Sequence, residues 1–133
     1  MKVSPQVSAP PTPGAVRMPG IGEVFAAGCP SRVVLDHVTS KWGVLVLVAL
    51  AHGPQRWSEL RRRAEGISEK MLAQTLRTLE ADGIVHRDAQ PVIPPRVDYS
   101  LTERGTELVA VLLPLFGWVL ANADDIVGDR DPA

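Results

Sequence analysis

Two short helices that meet at a glycine, with an alternating hairpin directly behind them, predict a mainly α fold with a small β-hairpin, an α+β class. The helices are residues 59–64 and 69–82 about Gly66, and the hairpin runs from Ile84 to Leu101. A long apolar segment, residues 103–121, follows as a terminal helix. It is too apolar all round for one small domain to cover, so the terminal helices are expected to pair two copies.

The chain has 133 residues, which suits one domain. With 45% hydrophobic and 22% charged residues it has a globular balance, which excludes a wholly disordered chain. Prolines at 5, 10, 11, 13 and 19 make residues 1–23 a flexible Pro-rich N-terminal arm. Residues 24–123 form the folded domain, and 124–133 an acidic C-terminal tail expected to fray. Net charge is −1, against indiscriminate binding to nucleic acid or membrane. Its distribution is uneven: residues 56–104 carry nine Lys/Arg against eight Asp/Glu, and 105–133 one against five. A local basic surface therefore remains open. One cysteine, Cys29, allows no internal disulfide and points to a cytoplasmic setting. The first residues lack the apolar run of a signal peptide. The apolar runs Val44–Ala51 and Leu108–Ala121 fall short of the ~20 residues that span a bilayer, so no membrane partner is expected.

Taken in order, Cys29-Pro30 reads as a helix start, since proline fits a first turn. Val33, Val34 and Val38 give that helix an apolar face. Residues 41–51 have no polar interruption after Gly43, so periodicity leaves helix and strand open; the stop at His52-Gly53-Pro54 favours helix. Arg56-Trp57 reads as a very short strand, and Ser58 as the cap of the helix to about Ala64. Ser68 caps the next helix, which ends at Gly83. Leu72, Leu76 and Leu79 share one of its faces. Lys70, Gln74, Arg77 and Ala81 fall opposite, with Ala73 beside them. Arg96–Leu101 alternates strictly, and Pro91-Val92-Ile93-Pro94-Pro95 forms a stiff hairpin tip. Thr102 caps the terminal helix, expected to kink at Pro114.

This order is that of a winged helix-turn-helix. The second helix of the turn unit fits the major groove of double-stranded DNA, and the hairpin touches backbone or minor groove beside it. Lys70 and Arg77 can donate to guanine or phosphate, Gln74 can pair with adenine, and Ala73 can meet a thymine methyl. Ser58 and Ser68, at helix starts, join the DNA-binding set as phosphate contacts. Arg96 at the hairpin base, with Arg87 across from it, suits the backbone or minor groove. Arg61, Arg62 and Arg63 are the densest basic run. Charges on an outer helix face commonly serve only solvation, and a winged-helix module that binds protein without DNA is the alternative.

Several blocks resemble the HxlR-type regulators, relatives of the MarR group. They are Cys29-Pro30 with Lys41-Trp42, Gly53-Pro54 with residues 56–61, residues 66–72, residues 76–83 and residues 94–102. The resemblance runs from about Cys29 to Trp118. It implies a dimeric bacterial transcription regulator and residues 42–51 as helix. The arm before Gly20 and Trp57, where phenylalanine is expected, are departures.

In the terminal helix, Leu108, Val111, Leu112, Leu115 and Val119 make one stripe; Val109, Leu113, Phe116 and Leu120 make much of another. Homodimerisation there would set two reading helices about one DNA turn (~34 Å) apart on a palindromic operator. Cys29, at a helix start, is a candidate sensor thiol, and the resemblance implies oxidants or electrophiles as its signal. An inert packed thiol is the plainer alternative. A small-molecule effector pocket at the dimer interface would be lined by Trp42, Phe116 and Trp118, although aromatics so spaced are commonly plain core. His37, His52 and His86 are scattered, so no metal site is expected, nor any cofactor. No nucleophile, base and orienting group recur at workable spacing, which argues against an enzyme.

Overall fold

The computed structural model describes Met18 and residues 20–130. Most of the Pro-rich arm, residues 1–17 and 19, and the last three tail residues lie outside the described residues. The chain divides into two compact units, one ending at Val33 and one starting at Val34.

In the first unit a short 3-10 helix covers Ile21–Phe25. The Arg32 guanidinium donates to the carbonyls of Val24 (3.4 Å) and Phe25 (3.2 Å). Cys29 stands just before α1 (Pro30–Thr39), and its carbonyl accepts the Val33 N–H at 3.1 Å.

The second unit holds the rest. Ser40 caps α2 (Lys41–Leu50), its hydroxyl accepting the Gly43 N–H at 3.1 Å and donating to the His37 carbonyl at 3.2 Å. Gly43 is required there, because a Cβ would sit 2.6 Å from the His37 oxygen. Val46, Leu47, Ala49 and Leu50 of α2 are buried, so the uninterrupted apolar run is a core helix. The chain then forms β1 (Gln55–Arg56), one residue earlier than expected because Trp57 already begins α3 (Trp57–Arg63). Buried Gln55 donates from Nε2 to the Ala49 carbonyl, fastening β1 to α2. Ser58 is therefore the second helical residue and not the cap. Glu59 instead accepts the Arg56 N–H at 2.8 Å.

Gly66, at φ 94°, turns the chain into α4 (Glu69–Ala81), and Gly83, at φ 74°, ends that helix. Such backbone angles favour glycine. β2 (Val85–Gln90) and β3 (Arg96–Leu101) form the hairpin, but β1 also pairs with β3. The result is a three-stranded antiparallel sheet of order β1-β3-β2. Leu47, Leu60, Leu72, Leu76, Leu79, Val85 and Tyr99 meet in one core between helices and sheet.

Thr102 caps α5 (Glu103–Arg130), its hydroxyl accepting the Gly105 N–H at 3.1 Å and donating to the Gly83 carbonyl at 2.6 Å. This helix departs from expectation in two ways. With Pro114 inside it, it passes the predicted stop at Ala121 and reaches Arg130 as one 28-residue element. The two apolar stripes also fall differently. Val109 and Leu112 face the core, while Val111, Leu113, Leu115, Trp118, Val119 and Leu120 are exposed. Leu112, at 8% exposure, is core and not interface. Because the apolar runs join, α5 contains an 18-residue window of mean hydropathy 1.6 and is long and apolar enough to cross a bilayer. Charge keeps its last turns polar, with Asp124, Asp125 and Asp129 before Arg130.

Gly105 fixes the rotation of α5. A Cβ there would lie 2.2 Å from the Ile84 carbonyl oxygen. Gly→Ala inside a helix ordinarily stabilises by ~0.5–1 kcal/mol, but overpacking costs ~1–3 kcal/mol. Gly105→Ala is therefore expected to destabilise the fold by about 1–2 kcal/mol, read as a lower urea midpoint with unchanged m-value.

Candidate nucleic-acid interface

The outward face of α4 is built from its buried one. Leu72, Thr75, Leu76 and Leu79 are buried, a repeat of three and four residues that seats the helix on the core. Lys70, Gln74, Arg77 and Ala81 consequently stand exposed, and Ala73 is half-buried at the edge. The helix start is held by Ser68, whose hydroxyl accepts the Met71 N–H at 3.0 Å. Its far end is held by three groups. Asp82, the C-cap, pairs with His37 Nδ1 of α1 at 2.7 Å, and Arg104 donates to the Asp82 carbonyl at 3.1 Å. The Gly83 N–H bonds to the Glu80 carbonyl at 3.0 Å. The start of α4 is thus capped, and its far end is tied to α1 and α5.

The hairpin stands beside this helix, and its tip, residues 91–95, is exposed, Ile93 by 98%. Register separates the two arginines expected to face each other. Gln90 is opposite Arg96, and Arg87 is opposite Tyr99. Strand alternation then puts Arg87 on the side of buried Tyr99 and Arg96 on the other. Arg96 is also engaged, its Nε 3.2 Å from Asp98, which accepts from Gln90 Nε2 at 2.7 Å. Arg61 is 3.6 Å from Glu69. By contrast Lys70, Arg77 and Arg87 have no ion pair or side-chain hydrogen bond among the described residues.

Ser58 is exposed at the start of α3 and borders the wing beside Arg56, Trp57 and Arg96. Arg56 and Trp57 were not singled out for this face. The signal that places them is positional, since the β1 register sets Arg56 opposite Asp98 and Trp57 follows it as the first residue of α3.

Cys29, in the first unit, is half-buried. Its sulfur donates to the Glu23 carbonyl at 3.1 Å and accepts the Arg32 N–H at 3.4 Å. The three aromatics expected to line an effector pocket differ in exposure. Trp42 leans on the core with Lys41 Nζ 4.4 Å over its ring, Phe116 is half-buried, and Trp118 is 59% exposed. The cavity that borders α5, about 500 Å³, is lined instead by residues including Leu50, Leu101, Val109 and Leu113. Among the described residues no cluster of His, Cys, Asp and Glu could hold a metal ion.

A leucine-seated helix with a polar face, preceded by a short helix and a turn and followed by a three-stranded wing, defines a winged helix-turn-helix transcriptional regulator. A family model described as HxlR-like helix-turn-helix matches residues 37–126, and the chain belongs to that family. It is 52% identical over 110 residues to the HTH-type transcriptional regulator YtfH of Escherichia coli (strain K12), covering 83% of this chain and 87% of that one. The solved structure of the transcriptional regulator ytfH from Salmonella typhimurium matches with TM-score 0.75 and 51% identity, over 80% of this chain and 95% of that one. The redox regulator HypR in its oxidized form matches with TM-score 0.66 and 40% identity, over 71% and 97%.

Proposed function

We propose that this transcriptional regulator works inside the cell as a homodimer and represses by laying α4 in the major groove of a palindromic operator. The observation that carries the reading is the exposed, unpaired polar row on a helix capped at its start and tied down at its far end. Lys70 and Gln74 are offered as base readers, Ala73 as a methyl contact, and Ser58 and Ser68 as phosphate donors. Arg96, held by Asp98, lends at most a screened charge. A winged helix docking protein and not DNA would lack a steep salt slope, whereas the regulator should lose affinity with a slope near −0.9 per phosphate contact.

The second copy is argued from α5. Val111, Leu115, Trp118 and Val119 are exposed in one chain. Burying even four such side chains gains ~1.5–3 kcal/mol each before association costs. A partner's α5 covers that surface and sets the two α4 helices on successive major grooves. Cys29 supplies the switch in this reading. Its sulfur accepts the Arg32 N–H at the start of α1, and the similarity to a redox regulator supports oxidant or electrophile sensing. With one thiol per chain, the products are an adduct, a sulfenic acid or a bridge between subunits.

Three outcomes are expected. Gln74→Ala and Lys70→Ala each lower the ratio of operator to random-duplex affinity by ~1–3 kcal/mol in fluorescence anisotropy; operator binding equal to the parent's would remove α4 as the reader. Leu115→Asp sediments as a monomer and loses operator affinity at least tenfold, and an intact dimer would move the interface elsewhere. Operator binding lost on treatment with a quinone is retained by Cys29→Ser; loss that persists in that variant ends the thiol switch.

A further inference from the structure

A recess of about 410 Å³ opens where α4 meets the sheet. Arg77 of α4 and Arg87 of β2 both line it, with Trp57, Ala73, Glu80 and Tyr99. The two arginines converge from separate elements because Arg87 lies opposite Tyr99, on the sheet side that α4 covers. Neither arginine nor Glu80 has an ion pair or side-chain hydrogen bond among the described residues. Half-buried Trp57 and buried Tyr99 make part of the wall apolar, which strengthens electrostatic attraction inside.

We infer that this recess is a seat for one backbone phosphodiester, shared by Arg77 and Arg87. The inference rests on the DNA reading above and assigns Arg77 to the backbone and not to a base. Guanidinium groups present planar forks of donors, and a phosphodiester offers two unbridged oxygens to receive them. Two arginines against Glu80 leave the recess one positive charge, which matches a diester's single negative charge and disfavours a doubly charged free phosphate. Position agrees with charge. A helix seated in the major groove is walled by phosphate strands, and the junction of α4 with the wing is where one wall passes. Removing either arginine brings the recess to zero net charge, so the contact is lost at the first substitution and the second adds little.

The test measures affinity for a mixed-sequence duplex of ~30 base pairs against chloride concentration. Arg77→Ala and Arg87→Ala are each expected to reduce the steepness of the log–log slope by about 0.9, one phosphate contact. Between ~50 and ~200 mM salt each variant then loses about threefold less affinity than the parent. The double variant should show the same reduction as either single one. Arg130→Ala, at the end of α5, controls for loss of charge alone and keeps the parent slope. A reduction of about 1.8 in the double variant means two separate contacts and overturns the shared seat. A parent slope retained by Arg87→Ala overturns the seat while leaving the DNA reading standing. A parent with no salt-dependent binding removes that reading and the seat with it. Inorganic phosphate at matched ionic strength decides the source: weakened duplex binding in the parent but not in Arg87→Ala would mean a free oxyanion site, against the assignment.

Discussion

Whatever α4 presents outward depends on how it is seated beneath. Leu72, Leu76 and Leu79 are almost wholly buried, each worth ~1.5–3 kcal/mol of transfer from water. Turning the helix by one residue, 100°, would lift this row out of the core and drive Ala73, Arg77 and Glu80 into it. No modest rearrangement recovers that loss, so the polar row has one orientation relative to the sheet. The end contacts act on a different freedom. His37 on Asp82 and Arg104 on the Asp82 carbonyl hold the helix against sliding along its axis.

α5 shows the opposite situation, an apolar helix whose composition does not say which side faces in. With apolar residues at nearly every angle, periodicity has no preferred phase. The phase comes from the first turn: Thr102 bonds back to the Gly83 and Ile84 carbonyls, and Gly105 lies against the latter. From that anchor, Val109 and Leu112 follow at steps of four and three, and the neighbouring leucines are left outside. The uncovered surface is therefore a consequence of one tight approach at the helix start.

The same contrast explains what could be read in advance. The placement of α4 was legible because leucines and charges alternate strongly between a serine cap and a glycine stop. The wing was legible as a hairpin from its alternation. Its third strand was not, since two residues, Gln55 and Arg56, carry no period and gain their identity only by pairing with Tyr99 and Asp98. Ser58 looked like a cap because its residue type suits one, yet Glu59 reaching back to the Arg56 N–H starts the helix earlier. Thr75 was missed in the buried row because a polar residue stands where the spacing calls for an apolar one. The partners of the arginines were the least legible feature. Gln90 and Asp98 meet across strands, and which arginine faces Tyr99 depends on a register that composition does not encode.

Register also explains how a chain of net charge −1 can present unpaired cations beside α4. Asp88 and Asp98 are opposite each other in the hairpin, on the side away from Tyr99, and Arg96 and Gln90 converge on Asp98 there. Asp124, Asp125 and Asp129 sit in the last turns of α5. These carboxylates are thereby held away from the outer row of α4, which keeps Glu69 in its first turn, 3.6 Å from Arg61, and Glu80 at the recess. The cations divide in the same way. Arg61, Arg96 and Arg104 are engaged within the fold, where they hold elements in place. Lys70 and Arg77 of α4 and Arg87 on the strand face beside it have no ion pair or side-chain hydrogen bond among the described residues, and the same is true of Arg62 and Arg63 on α3. An unpaired cation keeps its full attraction for an outside anion, while a paired one must first break its own contact. For Arg87 and Arg96 the β2–β3 register makes the difference, and for Lys70 and Arg77 the buried floor of α4 does, so the packing that fixes the fold also places these four charges.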